Sequence, residues 1–107
     1  METFFDRIKR LVESGDVLIS AHGYDELAND GIFIKDIIRV EEAWVIAEYP
    51  DHGKGSCILV LQNDRNHLPI HAVWGIPAGK DSPAVLVTAY RPDPKKWNED
   101  FTTREKR

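Results

Sequence analysis

The fold is decided by an almost wholly apolar run in the second half of the chain, Cys57-Ile58-Leu59-Val60-Leu61. A short apolar run of this kind is typical of a strand in the middle of a sheet. A turn sequence follows it, Asn63-Asp64-Arg65-Asn66, and the next predicted strand is Ile70-His71-Ala72-Val73-Trp74. Pro69 lies at the start of that strand, where its missing N–H matters least.

Two further strands are predicted on either side of this pair. One is Ala43-Trp44-Val45-Ile46-Ala47-Glu48-Tyr49, and the other is Ala84-Val85-Leu86-Val87-Thr88-Ala89-Tyr90, which Arg91-Pro92-Asp93-Pro94 ends. Because short connections between strands favour antiparallel neighbours, the sequence predicts a four-stranded antiparallel sheet.

The first half of the chain has the spacing of helices. Apolar residues recur at helical intervals in Phe4, Phe5, Ile8, Leu11 and Val12, and Gly15 ends this helix. Ser20 is predicted to cap a second helix from Ala21 to Asn29, and a third helix ends near Val40. The run Val17-Leu18-Ile19 between them is either a small edge strand or an extended link. The expected fold is therefore α+β, with two or three helices packed on one face of the sheet.

Length and composition limit the class of protein. A chain of 107 residues with 42% hydrophobic and 30% charged residues has the composition of one globular domain, predicted over residues 1–94. Residues 95–107 are predicted to be a charged tail in which Trp97 and Phe101 are docking points. The single cysteine excludes an intramolecular disulfide and a cysteine-rich zinc site. No apolar run approaches about 20 residues, so we expect no membrane span and a cytoplasmic location.

The charge is distributed unevenly along the chain. The net charge is −4, but residues 1–51 sum to −7 and residues 52–107 to +3. Charge acts locally, since fields are screened beyond about 10 Å at physiological salt. A separate face formed by the second half could therefore attract phosphates, while a mixed solvated surface is the alternative interpretation.

A polar cluster is predicted on one face of the apolar sheet. Alternation places Leu86, Thr88 and Tyr90 on one side of the last strand, and Val85, Val87, Ala89 and Arg91 on the other. His71 and Val73 lie opposite to Ile70, Ala72 and Trp74 in the neighbouring strand. A face that carries His71, Thr88 and Tyr90 could exchange a proton near neutral pH. The alternative is a buried histidine whose ring is satisfied by a neighbouring hydroxyl.

His22 and three basic residues are the remaining candidates. His22 starts the second predicted helix, where the helix dipole favours a neutral ring; a capping or surface role is the alternative. Arg91 and the loop residues Lys54 and Lys80 are candidates to hold phosphate, although loop lysines also simply keep hairpins soluble.

A metal site and a nucleotide-binding loop are not expected. His67 and His71 have the spacing of a helical ligand pair, but Pro69 between them favours extended chain, and no carboxylate or cysteine completes the set. The segment from Gly75 to Ser82 is one residue too short between its glycines for a phosphate loop. No cofactor is predicted.

The order of several short motifs resembles a known family. These motifs are Ile19-Ser20-Ala21-His22, Ile34-Lys35-Asp36-Ile37-Ile38, Pro69-Ile70-His71-Ala72-Val73 and Leu86-Val87-Thr88-Ala89-Tyr90. Together they resemble the bacterial domain of unknown function 4258 from residue 17 to residue 94. That family is similar in layout to the RelE-like and MqsR-like toxins, which are ribonucleases that cut mRNA and are held inactive by an antitoxin. By this resemblance His22 and His71 match recurring histidines, and Thr88 and Tyr90 match the pattern of the final strand.

The resemblance and the polar cluster lead to one functional hypothesis and one rival. The hypothesis is a ribonuclease toxin (an mRNA interferase) that transfers the phosphodiester to the adjacent ribose 2′-hydroxyl without a metal. His71 or His22 would act as base or acid, and Tyr90 would donate a proton or a hydrogen bond. Its expected partners are RNA and an antitoxin protein. The rival is a non-catalytic interaction module, or an inactive member of the toxin fold, in which Trp44, Trp74 and Tyr49 anchor a partner.

Overall fold

The computed structural model describes residues 1–52, 55–97 and 101 of the chain. Its elements are, in chain order, α1 (Phe4–Glu13), β1 (Val17–Ile19), α2 (Ala21–Asn29), α3 (Ile34–Ile37), β2 (Trp44–His52), β3 (Gly55–Asn63), β4 (Pro69–Pro77) and β5 (Ala84–Tyr90). These elements confirm the predicted α+β class. Within the described ranges, no helix has the length and apolar character needed to cross a membrane.

The sheet has five strands and is mixed, which corrects the expected four-stranded antiparallel sheet. Its strand order is β1-β5-β4-β3-β2. The strands from β2 to β5 do form consecutive antiparallel pairs, but β1 adds to β5 in parallel, with Val17 opposite Ala84 and Ile19 opposite Leu86. A three-residue apolar run does not specify a partner so distant in sequence. The apolar pattern therefore did not decide whether residues 17–19 form an edge strand or an extended link.

The core lies on one face of the sheet, beneath the helices. Helix α1 contributes Phe5, Ile8, Leu11 and Val12, and the sheet contributes Ile58, Val60, Ile70, Ala72, Trp74, Ile76, Ala84, Leu86 and Ala89. Trp74 is 0% exposed in this cluster, so its predicted role as an anchor for a partner is wrong. The alternation of β4 is as predicted, because Ile70, Ala72 and Trp74 all face this core.

A bulge in β5 changes which residues share a face. Trp74 pairs with Leu86, but the preceding Val73 pairs with Thr88, so Val87 is an extra residue. An extra residue reverses the alternation of side chains from that point on. Leu86 therefore faces the helices, whereas Thr88 lies on the opposite face. The prediction that Leu86 shares a side with Thr88 and Tyr90 is wrong for this reason.

Along the outer edge of β5, β1 pairs with the first part of the strand, and helix α2 lies against the part that follows. The backbone N–H of Ser20 donates to Leu86 O at 3.1 Å, and the Ser20 hydroxyl donates to Val87 O at 2.9 Å. Ser20 also caps α2 as predicted, because its hydroxyl accepts from the N–H of Gly23. A Cβ at Gly23 would lie 2.9 Å from Leu86 O, so only glycine lets the helix approach the strand this closely. At the far end of the helix, the Asp30 carboxylate accepts from the N–H of Arg91 at 2.8 Å.

The turn between β3 and β4 is organised by Asp64. This carboxylate accepts from the backbone N–H groups of Asn66, at 2.7 Å, and Leu68, at 3.0 Å. It also forms a 2.8 Å ion pair with the guanidinium of Arg91 at the end of β5. The Asp64 side chain is only 4% exposed, so the pair is largely shielded from solvent on that side. One carboxylate thus joins a hairpin turn to a strand that is distant in sequence.

We expect Asp64→Ala to lower the free energy of unfolding by about 2–4 kcal/mol, because two backbone donors and one guanidinium lose their acceptor. Urea denaturation followed by circular dichroism measures this loss. Asp81→Ala is the matched control, since the Asp81 carboxylate is fully exposed and its 3.5 Å pair with Arg7 lies in solvent. Equal urea midpoints for the two variants would contradict the assignment.

Candidate functional site

His71 lies at the centre of the candidate site, on the sheet face opposite to the helices. Its side chain is 0% exposed. Nδ1 lies 3.3 Å from the Tyr90 hydroxyl, and Nε2 lies 2.7 Å from the backbone oxygen of Phe101. The ring of Trp97 meets the imidazole edge-on, with a centroid distance of 4.4 Å and an interplanar angle of 87°. Both ring nitrogens therefore have a partner.

These partners fix the tautomer of the imidazole. The carbonyl oxygen of Phe101 only accepts, so Nε2 carries the proton and Nδ1 is left to accept from the Tyr90 hydroxyl. Burial lowers the pKa of His71 below its usual value, and the hydrogen bond to Phe101 opposes that shift only in part. The ring is therefore neutral near pH 7.

Tyr90 and Thr88 join His71 on this face because of the β5 bulge. Tyr90 is directly opposite His71 in the sheet, and the two ring centroids are 5.4 Å apart. Thr88 is opposite Val73, on the same face and nearer the middle of the sheet. The structure thus brings together three of the four predicted catalytic residues, with one direct contact, between His71 and Tyr90.

His71 is covered rather than open to solvent, whereas Thr88 and Tyr90 are half-buried. The cover over His71 comes from the C-terminal segment, by which we mean the described residues 95–97 and 101, and not from a helix. Trp97 and Phe101, the docking points suggested by the sequence, both contact His71. As aromatic residues in a charged tail they were predicted to dock, but the sequence did not indicate where they dock.

His22, the fourth predicted catalytic residue, lies apart from this cluster. Its side chain is 66% exposed on α2, and its Nε2 is 3.9 Å from a carboxylate oxygen of Glu26. His71 is buried with both nitrogens engaged by other groups, so the two histidines do not contact each other. The position of His22 matches the surface alternative considered for it.

The predicted phosphate-binding residues do not converge on His71 either. The guanidinium of Arg91 is held by Asp64 and lies within 3.4 Å of the backbone oxygens of Leu68 and Pro69. Lys80 lies beyond the far end of β4, and the strand from His71 to Pro77 alone spans roughly 20 Å at about 3.3 Å per residue. Lys54 lies outside the described residues.

Two other buried polar residues were missed by the sequence analysis. The Asp36 carboxylate accepts from the backbone N–H and the guanidinium of Arg65, and the Gln62 amide donates to the backbone oxygens of Asp36 and Ile37. These contacts attach α3 to β3 and to the following turn. Gln62 at the end of an apolar strand was the available signal, because a polar side chain there needs partners. In the part of the chain described, no cluster of three or more His, Cys, Asp or Glu residues could hold a metal ion.

The stability of the protein should depend on pH through His71. Because its folded-state pKa lies below the unfolded value, the unfolded state binds the proton more readily as the pH falls through about 6.5. Stability from this group is present above that pH and is lost below it. We therefore expect the urea midpoint to fall between about pH 7.5 and pH 5.5, and to fall less in His71→Phe, which does not titrate.

The control for this experiment is His22→Gln, which removes an exposed histidine that does not contact His71. The comparison uses the difference between the two pH values, so a loss of overall stability in His71→Phe does not affect it. If the variant and wild type lose the same stability over this range, the assignment of the neutral buried ring is wrong.

Comparison with known proteins gives one match. No curated protein and no solved structure matched the chain. A family model described as a domain of unknown function, DUF4258, matches residues 19–91, which include α2, α3, the strands from β2 to β5 and all four predicted catalytic residues. This match spans well over half of the chain. The protein therefore belongs to the DUF4258 family.

Proposed function

We propose that this protein is an endoribonuclease of a toxin–antitoxin pair, similar in layout to the RelE-like and MqsR-like toxins, and that His71 and Tyr90 form its reactive pair. The observation that supports this most is the contact of His71 Nδ1 with the Tyr90 hydroxyl on the sheet face that the helices do not cover. A neutral imidazole beside a phenol can accept one proton and supply another. Its mRNA substrate places such an enzyme in the cytoplasm.

The reaction would proceed through the ribose 2′-hydroxyl. Once the Phe101 carbonyl has left, the imidazole proton can lie on Nδ1, toward the Tyr90 oxygen, and the free Nε2 then removes the proton of that hydroxyl. The resulting oxygen attacks the adjacent phosphorus. The bond from phosphorus to the 5′ oxygen breaks, and Tyr90 supplies the proton that this leaving oxygen takes up. The products are a 2′,3′-cyclic phosphate and a 5′-hydroxyl. Thr88, on the same face, would hydrogen-bond the RNA near the reacting group.

The negative charge that builds up on the phosphate must be stabilised by cations, and the candidate cations lie at different distances from the reacting group. Arg91 follows Tyr90 directly, and would reach a phosphate only after releasing Asp64. Lys80 would bind the RNA several nucleotides from the cut, since it lies beyond the far end of β4. Lys54, outside the described residues, stays a candidate RNA contact. Lys95 and Lys96 are exposed in the C-terminal segment itself and add positive charge near the site.

The C-terminal segment must move before RNA can reach His71. Trp97 and the Phe101 carbonyl occupy the positions where substrate would contact the imidazole. The protein described here is therefore the covered form of the proposed enzyme, with low activity. An antitoxin that binds the covered form would keep it inactive.

The test compares full-length wild type with Trp97→Ala, Trp97→Ala/His71→Phe and Trp44→Ala on mRNA in EDTA. An aromatic contact of this kind contributes about 1 kcal/mol, so its loss should raise the uncovered fraction, and with it the cleavage rate, by about fivefold. The double variant should not cleave. Trp44, 69% exposed on β2, is the control, and its variant should match wild type. Intact RNA with Trp97→Ala at high protein concentration would contradict the proposal.

A second candidate function is a non-catalytic interaction module. It is favoured by the complete burial of His71 with both nitrogens engaged, which is also what a structural histidine shows. Trp44 and Tyr49 are exposed on β2, a strand at one edge of the sheet, and would be the anchors of such a module.

Expression in bacteria separates the two candidates. Growth arrest that is lost in His71→Phe, and that is stronger with Trp97→Ala, supports the ribonuclease. Normal growth with all variants, together with a co-purified protein that is lost in Trp44→Ala, supports the interaction module.

A further inference from the structure

An apolar groove lies between α2 and α3, away from the candidate site around His71. Its floor is formed by Leu27 and Ile32, which are buried, and its walls by Tyr24, Phe33 and Ile34, which are exposed. The groove has a volume of about 490 Å³. Phe33 is 66% exposed and lies beside other exposed apolar side chains, so the groove is part of an exposed apolar patch.

The basic side of the groove carries charge that is not neutralised. Lys35 lines the groove and forms no ion pair with any residue in the described part of the chain. The Asp36 carboxylate next to it does not offset this charge, because it is 5% exposed and already paired with Arg65. The Arg65 guanidinium lies over the ring of Phe33, 5.4 Å from its centroid, and its charge is offset by Asp36, so Lys35 supplies the unpaired positive charge of this side. A protein of net charge −4 thus has a locally positive margin beside exposed apolar residues.

The wall formed by α3 is held in place before any partner arrives. Gln62 donates to the carbonyl oxygens of Asp36 and Ile37 at 3.1 and 2.8 Å, which fixes the end of this short helix. The Asp36–Arg65 contact attaches the same helix to the β3–β4 turn. A wall that is already ordered loses little conformational entropy on binding.

We propose that this groove binds an amphipathic helix of another protein, one whose apolar residues fill the groove and whose carboxylates face Lys35 and Arg65. An open apolar groove between two helices suits side chains spaced at i, i+3, i+4 and i+7 on a helix. The basic margin selects acidic over basic segments, because a like charge placed there is repelled. This inference does not depend on the ribonuclease activity.

The probe is a fluorescein-labelled synthetic helix of about 16 residues with leucine on one face and glutamate beside it. Its partner probe has lysine in place of every glutamate. Fluorescence anisotropy with the full-length protein should show binding of the glutamate peptide, at least about tenfold tighter than the lysine peptide. Lys35→Glu should weaken the glutamate peptide and strengthen the lysine peptide.

Phe33→Ser tests the apolar part of the groove without endangering the fold. Phe33 occupies the N-cap position of α3 and makes no side-chain capping bond, and serine is a favoured residue there. This variant should lose most of the binding of the glutamate peptide. Trp44→Ser is the matched control, because it removes an exposed aromatic from another surface and should bind like wild type.

Several outcomes would overturn the proposal. One is the absence of binding by the glutamate peptide, and another is equal binding of the two peptides. A third is binding that Phe33→Ser leaves unchanged. Self-association of the protein that disappears in Phe33→Ser, measured by sedimentation, would assign the groove to a second copy of the chain instead.

Discussion

The fold depends on the outer edge of β5, where the backbone groups of the two halves of the strand have different partners. Its first half pairs with β1, and its second half lies against α2, whose cap residue Ser20 bonds to the strand through both its backbone and its hydroxyl. The absence of a Cβ at Gly23 permits this close approach. Backbone groups on a sheet edge must be satisfied or solvated, and here one continuous segment, from β1 into α2, covers the edge.

The bulge in the same strand decides the composition of both sheet faces. Because Val87 is an extra residue, Leu86 before it and Ala89 after it both face the helices. Tyr90 is thereby placed opposite His71 on the other face. Without the extra residue, Tyr90 would lie among the core residues and His71 would lose its hydroxyl partner. A single backbone irregularity thus creates the polar pair on which the proposed chemistry depends.

The C-terminal segment determines both the stability of the buried His71 ring and the access of substrate to it. The C-terminal segment removes the imidazole from water, provides the acceptor for Nε2, and lowers the pKa of the ring by burying it. The same contacts that make the histidine a well-satisfied buried residue also deny access to it. Arg91 has a similar double role. Its ion pair with Asp64 stabilises the β3–β4 turn, and the same pair keeps the cation next to Tyr90 from binding a phosphate.

The sequence by itself determined the α+β class, the four longer strands, the Ser20 cap and the face on which His71 lies. These features follow from local periodicity and from the chemistry of single residues, which a short window of sequence contains. Only the tertiary structure decided the pairing of β1 with β5, the bulge at Val87, the Asp64–Arg91 pair and the docking of Trp97 and Phe101 on His71. Each of these joins residues that are far apart in the chain or shifts a register by one residue. Such choices depend on the packing of the whole molecule, and a local pattern is compatible with more than one of them.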